Sequence, residues 1–378
     1  MTECSCSALI QTMRQHAGVG LAMLALSCGK TSAQTHDPQI SAPDGTDPTV
    51  LLQIDEQVGV IRVDDQRIYW TGGQGLDTLG AAALRSCAKE DCAHTVVTYD
   101  ASGTDPTPGF GLENGQIYWF HYNGDHPGAS WTVRGCSVAG CGTTAPTVIT
   151  TVMTNLPSAV AFTQDSLFIT TYPGVYRFPL AEGGDPDLVV SGVNAVGALL
   201  AQGDYLYWFD QKQDSARSST LRRARSDGSD SPQTLADDLE VDWYPNYYQP
   251  QYPSGGLAFD ATSVYWSQGA IRGSIVRCPL DGCSGAPEVV AAPVRSPTTL
   301  QLDGENLYFQ HDTSSRGLAV SSCALGACEL GDPIATGLDA INALAIDDQY
   351  FYTATTDQTI PSDAVWSDPT AQIRRFPK

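Results

Sequence analysis

The chain has 378 residues, with 20 Lys and Arg against 42 Asp and Glu, so its formal net charge at pH 7 is -22. This negative excess repels nucleic-acid phosphates and anionic lipid headgroups, which excludes nucleic acid as a partner and leaves a lipid anchor as the only expected route to a membrane. Length alone does not decide between one domain and several, so internal repeats must decide it.

Residues 1–28 have the pattern of an export signal. Arg14 precedes the apolar run 17–27, which ends at Cys28 and is too short to span a bilayer. The segment 24–28 (LALSC) resembles a bacterial lipobox, and this resemblance implies that Cys28 becomes the lipidated first residue of the mature protein. We therefore expect an outer-membrane lipoprotein, periplasmic or at the cell surface, or alternatively a secreted protein.

The next segment, 29–47, is rich in Ser, Thr, Pro, Asp and Gly and predicts a disordered tether. We expect the folded body over 48–378, where no stretch approaches the roughly 18 consecutive apolar residues of a membrane-spanning helix. The signal is compatible with translation from Met1 or from Met13.

A repeat organises this body: a turn is followed by a β-rich run with an aromatic residue at its centre, seven times over. The central residues are Tyr69, Tyr118, Phe168, Tyr207, Tyr265, Tyr308 and Tyr352. Their spacings run from 39 residues (168 to 207) to 58 residues (207 to 265). Periods of about 40–50 residues with four strands each are typical of propeller blades. The sequence therefore predicts an all-β, seven-bladed β-propeller.

The fifth repeat predicts four strands, here named A to D with A innermost: 256–260, 263–268, 274–280 and 287–292. The aromatic residues of strand B are expected to pack between neighbouring blades. The seventh repeat stops after strand C, whereas a further β-rich run, 48–55, precedes the first strand A. We predict that 48–55 pairs with the last blade, which completes the ring and removes open sheet edges.

Two segments carry a family resemblance. Residues 68–71 (IYWT) and 276–282 (VRCPLDG) resemble the YWTD-type propeller repeats of low-density-lipoprotein-receptor relatives. The repeats are also similar to the cysteine-bearing propeller repeats common in predicted myxobacterial lipoproteins. The resemblance covers roughly 49–378 and implies the architecture, but propellers host unrelated activities, so it implies little about function. YWTD propellers usually have six blades, so the count of seven depends on this sequence.

Eight of the 11 cysteines form four pairs with four residues between partners, each at the turn between strands C and D. The pairs are Cys87 and Cys92, Cys136 and Cys141, Cys278 and Cys283, and Cys323 and Cys328. A zinc site needs four ligands, but each blade supplies two thiols, whereas a disulfide needs only two. Blades three and four lack both partners together, having Phe178 with Gly183 and Ala224 with Ser229 at these positions. We predict four disulfides within blades, formed in an oxidising compartment.

Motifs of catalytic chemistry are missing: the sequence has no nucleophile elbow, zinc-protease helix, phosphate-binding glycine loop or EF-hand loop. Asp recurs at the A-to-B turns, where we expect it to hydrogen-bond its own turn. These residues are Asp64, Asp65, Asp260, Asp303 and Asp347.

The candidate binding residues lie in long insertions. In a four-stranded blade the D-to-A and B-to-C connections emerge on one face, where we expect the long loops and hence the function. The predicted insertions are 120–130, 209–219, 242–255, 310–317 and 354–370. Segment 242–255 holds Trp243, Tyr244, Tyr247, Tyr248 and Tyr252 among three prolines. Two interpretations stay open: the rings stack on a ligand, or they plug the channel mouth and pack on a neighbouring blade.

Five further residues on that face, His121, Asp125, His126, His311 and Asp312, are scattered candidates for a bound cation such as calcium. No other cofactor is expected, and the metal is left unknown. The favoured function is a cell-envelope or secreted binding or scaffold protein, expected to be monomeric, that recognises a glycan or protein partner. The alternative is a propeller enzyme resembling lactonases or streptogramin lyases, with its site at the channel mouth.

Overall fold

The computed structural model describes fifteen stretches of the folded body and one dipeptide before it. They are 40–41, 49–73, 83–100, 110–123, 130–142, 146–153, 159–171, 173–180, 186–193, 196–211, 218–241, 256–269, 272–313, 318–338, 344–357 and 370–378. All of them belong to one compact unit, Pro38–Lys378.

The strands form seven antiparallel sheets, which are the seven blades of a β-propeller, as predicted. Two strands precede the first complete blade: β1 (Ile40–Ser41) and β2 (Val50–Ile54). Blade 1 has β3 (Gln57–Val63), β4 (Arg67–Gly73), β5 (Ala83–Ala88) and β6 (Val97–Asp100) as strands A to D. Blade 2 has β7 (Phe110–Glu113), β8 (Gln116–Asn123), β9 (Ser130–Ser137) and β10 (Thr147–Met153). Blade 3 has β11 (Ala159–Phe162), β12 (Ser166–Thr171), β13 (Gly174–Pro179) and β14 (Asp187–Ser191).

The remaining blades repeat this order. Blade 4 has β15 (Val196–Gln202), β16 (Tyr205–Gln211), β17 (Ser219–Arg225) and β18 (Gln233–Leu239). Blade 5 has β19 (Leu257–Phe259), β20 (Ser263–Gln268), β21 (Gly273–Pro279) and β22 (Glu288–Val294). Blade 6 has β23 (Leu300–Asp303), β24 (Asn306–Asp312), β25 (Leu318–Ala324) and β26 (Ala335–Leu338). Blade 7 has β27 (Leu344–Ile346), β28 (Tyr350–Asp357) and β29 (Thr370–Pro377) as strands A to C.

The ring closes through the N-terminal strand, as predicted. Strand β2 pairs antiparallel with β29, with Leu52 opposite Ile373, and so supplies strand D of blade 7. Strand β1, from the segment predicted to be a tether, adds a fifth, outermost strand by pairing with β2. The side chains of Leu52 and Ile54 are fully buried, so closure of the ring also completes a hydrophobic core.

The tryptophans of strand B pack between blades, which confirms the structural role predicted for these aromatic residues. Trp70 of blade 1 lies in one cluster with Leu52 and Tyr352 of blade 7. Trp266 of blade 5 packs with Leu221 and Leu235 of blade 4. The central aromatic residues pack on the other side: Tyr69 of blade 1 lies in one cluster with Phe110 of blade 2, and Tyr207 of blade 4 lies in one cluster with Trp266 of blade 5. The aromatic residues of strand B therefore fill the space on both sides of their own sheet, which is why one aromatic repeat per blade produces a ring.

The A-to-B turns are held by their aspartates. The Asp64 carboxylate accepts the backbone N–H groups of Gln66 (2.8 Å) and Arg67 (2.7 Å) and the hydroxyl of Tyr69 (2.6 Å). Burial and this hydrogen bond to a carboxylate raise the pKa of Tyr69. Asp260 and Asp347 hold their own turns in the same way, as predicted. Asp65 is exposed, and Asp303 instead binds the Lys378 ammonium of the next blade.

The predicted cysteine pairing is confirmed. Disulfides join Cys87 to Cys92, Cys136 to Cys141, Cys278 to Cys283 and Cys323 to Cys328. Each one clamps the connection between strands C and D of a single blade. Among the described residues no helix is long and apolar enough to cross a membrane.

Candidate binding face

The two faces of the ring carry different kinds of connection. The turn face carries the A-to-B turns, of two or three residues each (for example 64–66 and 114–115), and the C-to-D connections with their disulfides. The loop face carries the D-to-A and B-to-C connections, which range from residues 55–56 to residues 240–256. The lengths of the connections therefore vary most on the loop face, and binding loops are commonly placed on such a face of a rigid scaffold.

Both ends of the longest connection, 240–256, are fixed. At its start the Val241 side chain is fully buried and packs in one cluster with Leu257 and Trp266. At its end, the Gly256 N–H donates to Ser267 Oγ (2.8 Å). A β-carbon on Gly256 would lie only 2.1 Å from the Thr298 carbonyl oxygen, so the close approach needs glycine.

The predicted aromatic anchors lie between these fixed ends but outside the described residues. Trp243, Tyr244, Tyr247, Tyr248 and Tyr252 are the residues concerned. Both interpretations of these rings, a ligand platform and a channel plug, therefore stay predictions. Cys28 also lies outside the described residues.

A buried polar cluster lies at the loop face between blades 1 and 2. Asp100, the last residue of β6, accepts hydrogen bonds at Oδ2 from Trp119 Nε1 (2.9 Å), His121 Nδ1 (3.0 Å) and Arg134 Nη1 (3.2 Å). These three donors belong to strands B and C of blade 2. One carboxylate at the end of the last strand of blade 1 therefore ties that blade to strands B and C of blade 2.

The corresponding position between blades 7 and 1 is occupied by Glu56 and Arg85. Their side chains form an ion pair through Arg85 Nη1 and Glu56 Oε1. Burial raises the pKa of Glu56, although the neighbouring Arg85 guanidinium acts in the opposite direction. The Glu56 carboxylate lies directly over Gly72, because a β-carbon on Gly72 would lie only 2.1 Å from Glu56 Oε1. In blade 1 the Glu56 side chain therefore fills the space that the His121 side chain fills in blade 2. Gly72 and His121 both stand two residues after the strand-B tryptophan.

The basic partner recurs in two further blades. Arg85, Arg134, Arg222 and Arg374 lie directly opposite Trp70, Trp119, Trp208 and Thr353 in their sheets. Arg222 Nη1 lies 3.3 Å from Asp210 Oδ2, and Arg374 donates to Gln372 Oε1. The sequence analysis missed this set, although a basic residue two positions before the first cysteine, as in Arg85 and Arg134, is a visible signal. Each of these arginines pairs with a carboxylate or an amide oxygen of the protein, so we assign them a structural role near the loop face.

The proposed cation ligands are not brought together where they are described. His121 belongs to the Asp100 cluster in blade 2. His311, in blade 6, contacts Ser321 Oγ through Nε2 (2.9 Å) and the Asp312 carbonyl oxygen through Nδ1 (3.0 Å). Asp125 and His126 lie outside the described residues. Within the described stretches no group of three His, Cys, Asp or Glu side chains could hold a metal ion.

A cavity of about 360 Å³ lies on the turn face of blade 5. It is lined by Thr262, Ser263 and the Arg277–Glu288 pair, beside the Cys278–Cys283 disulfide. Two hydrogen bonds join Arg277 to the Glu288 carboxylate (2.9 and 2.7 Å), raising the pKa of the guanidinium and lowering that of Glu288. The charges are mutually satisfied, so this cavity is a cleft beside a disulfide clamp rather than a prepared site.

Comparison with known proteins identifies the fold of this chain but no family. No family model and no curated protein matches the chain. A puromycin-hydrolysing peptidase from Mycobacterium tuberculosis matches with a TM-score of 0.56 and 13% identity, over 85% of this chain and 52% of that one. A prolyl endopeptidase matches with a TM-score of 0.57 and 12% identity, over 82% of this chain and 46% of that one. The β-propeller domain of the Trilobed protease from Pyrococcus furiosus matches with a TM-score of 0.55 and 8% identity, over 79% of this chain and 91% of that domain.

The chain thus spans about half the length of the two whole peptidases but most of the isolated propeller domain. At these identities the likeness is one of fold alone. The Pyrococcus domain is described as having an open velcro topology, whereas here β2 pairs with β29 and closes blade 7.

Proposed function

We propose that this protein is an exported binding or scaffold protein of the cell envelope, whose loop face recognises a glycan or a protein partner. The observation that carries the proposal is the contrast between a disulfide-clamped turn face and a loop face whose longest connection is fixed at Val241 and Gly256. Five aromatic residues and three prolines lie between those ends. Aromatic rings held by a restricted loop lose little entropy on binding and present large faces for stacking.

The location is supported by two further features. Four disulfides require an oxidising compartment, such as the periplasm or the cell exterior. The N-terminal segment resembles a lipoprotein signal ending at Cys28. The part of the predicted tether that precedes β1, residues 29–39, would then hold the propeller away from the membrane surface.

The test removes the aromatic anchors. The triple variant Trp243→Ala, Tyr247→Ala, Tyr248→Ala and the wild type are compared on a glycan array and in crosslinked co-purification from the native envelope. We expect the triple variant to lose binding with an almost unchanged melting temperature. The matched control is Leu330→Ala with Ile334→Ala, two exposed apolar residues of the turn face, and it should bind like wild type.

Two results contradict this assignment. Unchanged binding by the triple variant removes the platform, and unfolding of the triple variant makes the rings part of the core. Lactone hydrolysis by the purified wild type, abolished by EDTA, would instead support the enzyme alternative with a site at the channel mouth.

Anchoring has a separate test, in which Cys28→Ser is compared with wild type in detergent partitioning of native membranes. We expect the wild type to partition with detergent and the variant to be released or left unprocessed. Identical fractionation and migration of the two would show that Cys28 is not lipidated.

A further inference from the structure

At one position of strand A, the residue is charged in blade 1 and uncharged in the six other blades. It lies opposite the central aromatic residue of strand B. The residues there are Arg62, Gly111, Ala161, Leu200, Ala258, Gln301 and Ala345. The glycine and the three alanines are buried between neighbouring inner strands, whereas Arg62 is exposed. Arg62 is therefore accessible from the central channel, which the innermost strands line.

The Arg62 guanidinium lies in an unusual setting for a cation. Although solvent reaches the side chain, burial by the surrounding ring of protein lowers its pKa. Its Cζ atom lies 5.8 Å from the centre of the Phe110 ring of blade 2. Arg85, Arg134 and Arg222 lie close to carboxylates, but no ion pair or hydrogen bond of the Arg62 side chain occurs within the described stretches.

An apolar belt lies next to this charge. In strand B, one residue directly precedes each central aromatic residue, as Ile68 precedes Tyr69. The belt consists of the strand-A residues that pair with these positions, as Val63 pairs with Ile68. These are Val63, Leu112, Phe162, Ala201, Phe259, Leu302 and Ile346. All seven are half-buried, so each keeps part of its apolar surface open on the innermost strands. These residues also pack against the hydrophobic clusters between blades, so only part of each is exposed on the innermost strands. That exposed apolar surface lies on the same strands as a cation for which the described stretches show no ion pair.

We propose that the central channel binds a small organic monocarboxylate through Arg62. The planar guanidinium matches a carboxylate with two parallel hydrogen bonds, and the partial desolvation of the channel strengthens a charge-assisted pair. The apolar body of the ligand lies against the half-buried residues of the belt. A phosphate dianion is less suited, because it brings a second charge and no apolar surface to a site with one cation. This site is distinct from the loop face and does not depend on the function proposed above.

The test uses benzoate as the probe, titrated into the full-length protein and followed by isothermal calorimetry. We expect one benzoate per protein, at least about tenfold weaker binding by Arg62→Ala, an intermediate loss in Arg62→Lys, and weaker binding of inorganic phosphate than of benzoate. Arg295→Ala, which removes an exposed arginine elsewhere, should bind like wild type. Equal affinities of wild type and Arg62→Ala, or no binding by wild type up to about 10 mM benzoate, would overturn the proposal.

A second measurement needs no variant and so does not depend on how a substitution folds. Phenylglyoxal modifies accessible guanidinium groups, and peptide mass spectrometry reports each site. We expect benzoate to slow modification of Arg62 and to leave that of Arg295 unchanged. Equal protection of both arginines, or of neither, would contradict a carboxylate site at Arg62.

Discussion

Arg85 and Glu56 form an ion pair whose two side chains are each only 4% exposed. Glu56 follows the closing strand β2 of blade 7, and Arg85 belongs to strand C of blade 1. The pair therefore joins the last blade to the first, at the seam where the two ends of the chain meet. Burial alone would favour a neutral Glu56, and the guanidinium opposes this by stabilising the carboxylate.

Breaking this pair from one side should be strongly destabilising. Arg85→Met leaves the carboxylate of Glu56 buried without its partner, and we expect it to lower the free energy of unfolding by about 3–5 kcal/mol. The double variant Glu56→Gln, Arg85→Met removes both charges and should recover much of that loss. Urea unfolding of the four proteins of this cycle gives the coupling energy directly.

The control for this cycle is the exposed pair Arg177–Asp187, whose side chains are 31% and 58% exposed. Arg177→Ala should cost no more than about 1 kcal/mol, since exposed pairs contribute little. If Arg85→Met were as mild as Arg177→Ala, the buried pair would not be a lock at the seam.

Closure of the ring by β2 should be essential for solubility. Deletion of residues 48–55 exposes the unpaired edge of β29 and part of the core around Trp70, so we expect aggregation or a strongly lowered melting temperature. A milder form is Leu52→Ala, which empties a fully buried site and should cost about 2–5 kcal/mol. Leu51→Ala, at a half-buried neighbour, is the control and should cost less. Wild-type melting of the deletion variant would contradict closure through this strand.

Each disulfide should act as a local clamp of similar strength. A loop this short gives about 2 kcal/mol in the loop-entropy model. The variant Cys323→Ala, Cys328→Ala should therefore lose roughly this amount in urea unfolding while the ring stays closed. Non-reducing peptide mass spectrometry of the wild type should show four linkages within blades. Free thiols at these eight positions, or stoichiometric zinc, would be incompatible with this pairing.

The ring was predictable from sequence because its determinants are local and repeated. The aromatic residue of each strand B, the Asp of most A-to-B turns and the closely spaced cysteines lie within one repeat, so period and spacing were sufficient. Closure by β2 followed from one missing strand at the end of the chain and one additional strand at its start. Four predicted insertions were too long at their start, because strand B of each of these blades continues further than expected. They are 120–130, 209–219, 310–317 and 354–370, and the strands continue to Asn123, Gln211, Asp312 and Asp357. Strand propensity does not mark where pairing with the next strand ends.

The polar groups were not predictable in the same way. Glu56 and Arg85 are 29 residues apart, and only the contact between blades 7 and 1 brings them together. The setting of Arg62 depends on the six other blades having uncharged residues at this position, which becomes visible only when the repeats are aligned strand by strand. The repeat predicts the ring, because it is shared by all blades. Candidate binding residues such as Arg62 instead stand at positions where one blade differs from the others.

The turn face carries a second seam contact, and it should make stability depend on acid. The Asp347 carboxylate of blade 7 accepts hydrogen bonds from the Lys89 ammonium of blade 1 (2.5 Å) and the Tyr352 hydroxyl (2.7 Å). It also accepts the backbone N–H groups of Gln349 and Tyr350. Partial desolvation raises the pKa of Asp347, but these hydrogen bonds outweigh it and hold the pKa well below its ordinary value.

A lowered folded-state pKa means that the folded protein binds a proton less readily than the unfolded chain. The contribution of Asp347 to stability is therefore fully present above its unfolded pKa of about 3.9 and is lost as the pH falls toward its folded pKa. We expect Asp347→Asn to cost about 1–3 kcal/mol at pH 7, where the wild type keeps its charged hydrogen bonds, and to show a flatter loss of stability below pH 4. Urea unfolding at a series of pH values measures both effects. Asp165→Asn, at the exposed A-to-B turn of blade 3, is the matched control and should leave the profile unchanged. If Asp347→Asn and wild type lost stability in parallel between about pH 4 and pH 2, Asp347 would not be the group whose protonation loosens this seam.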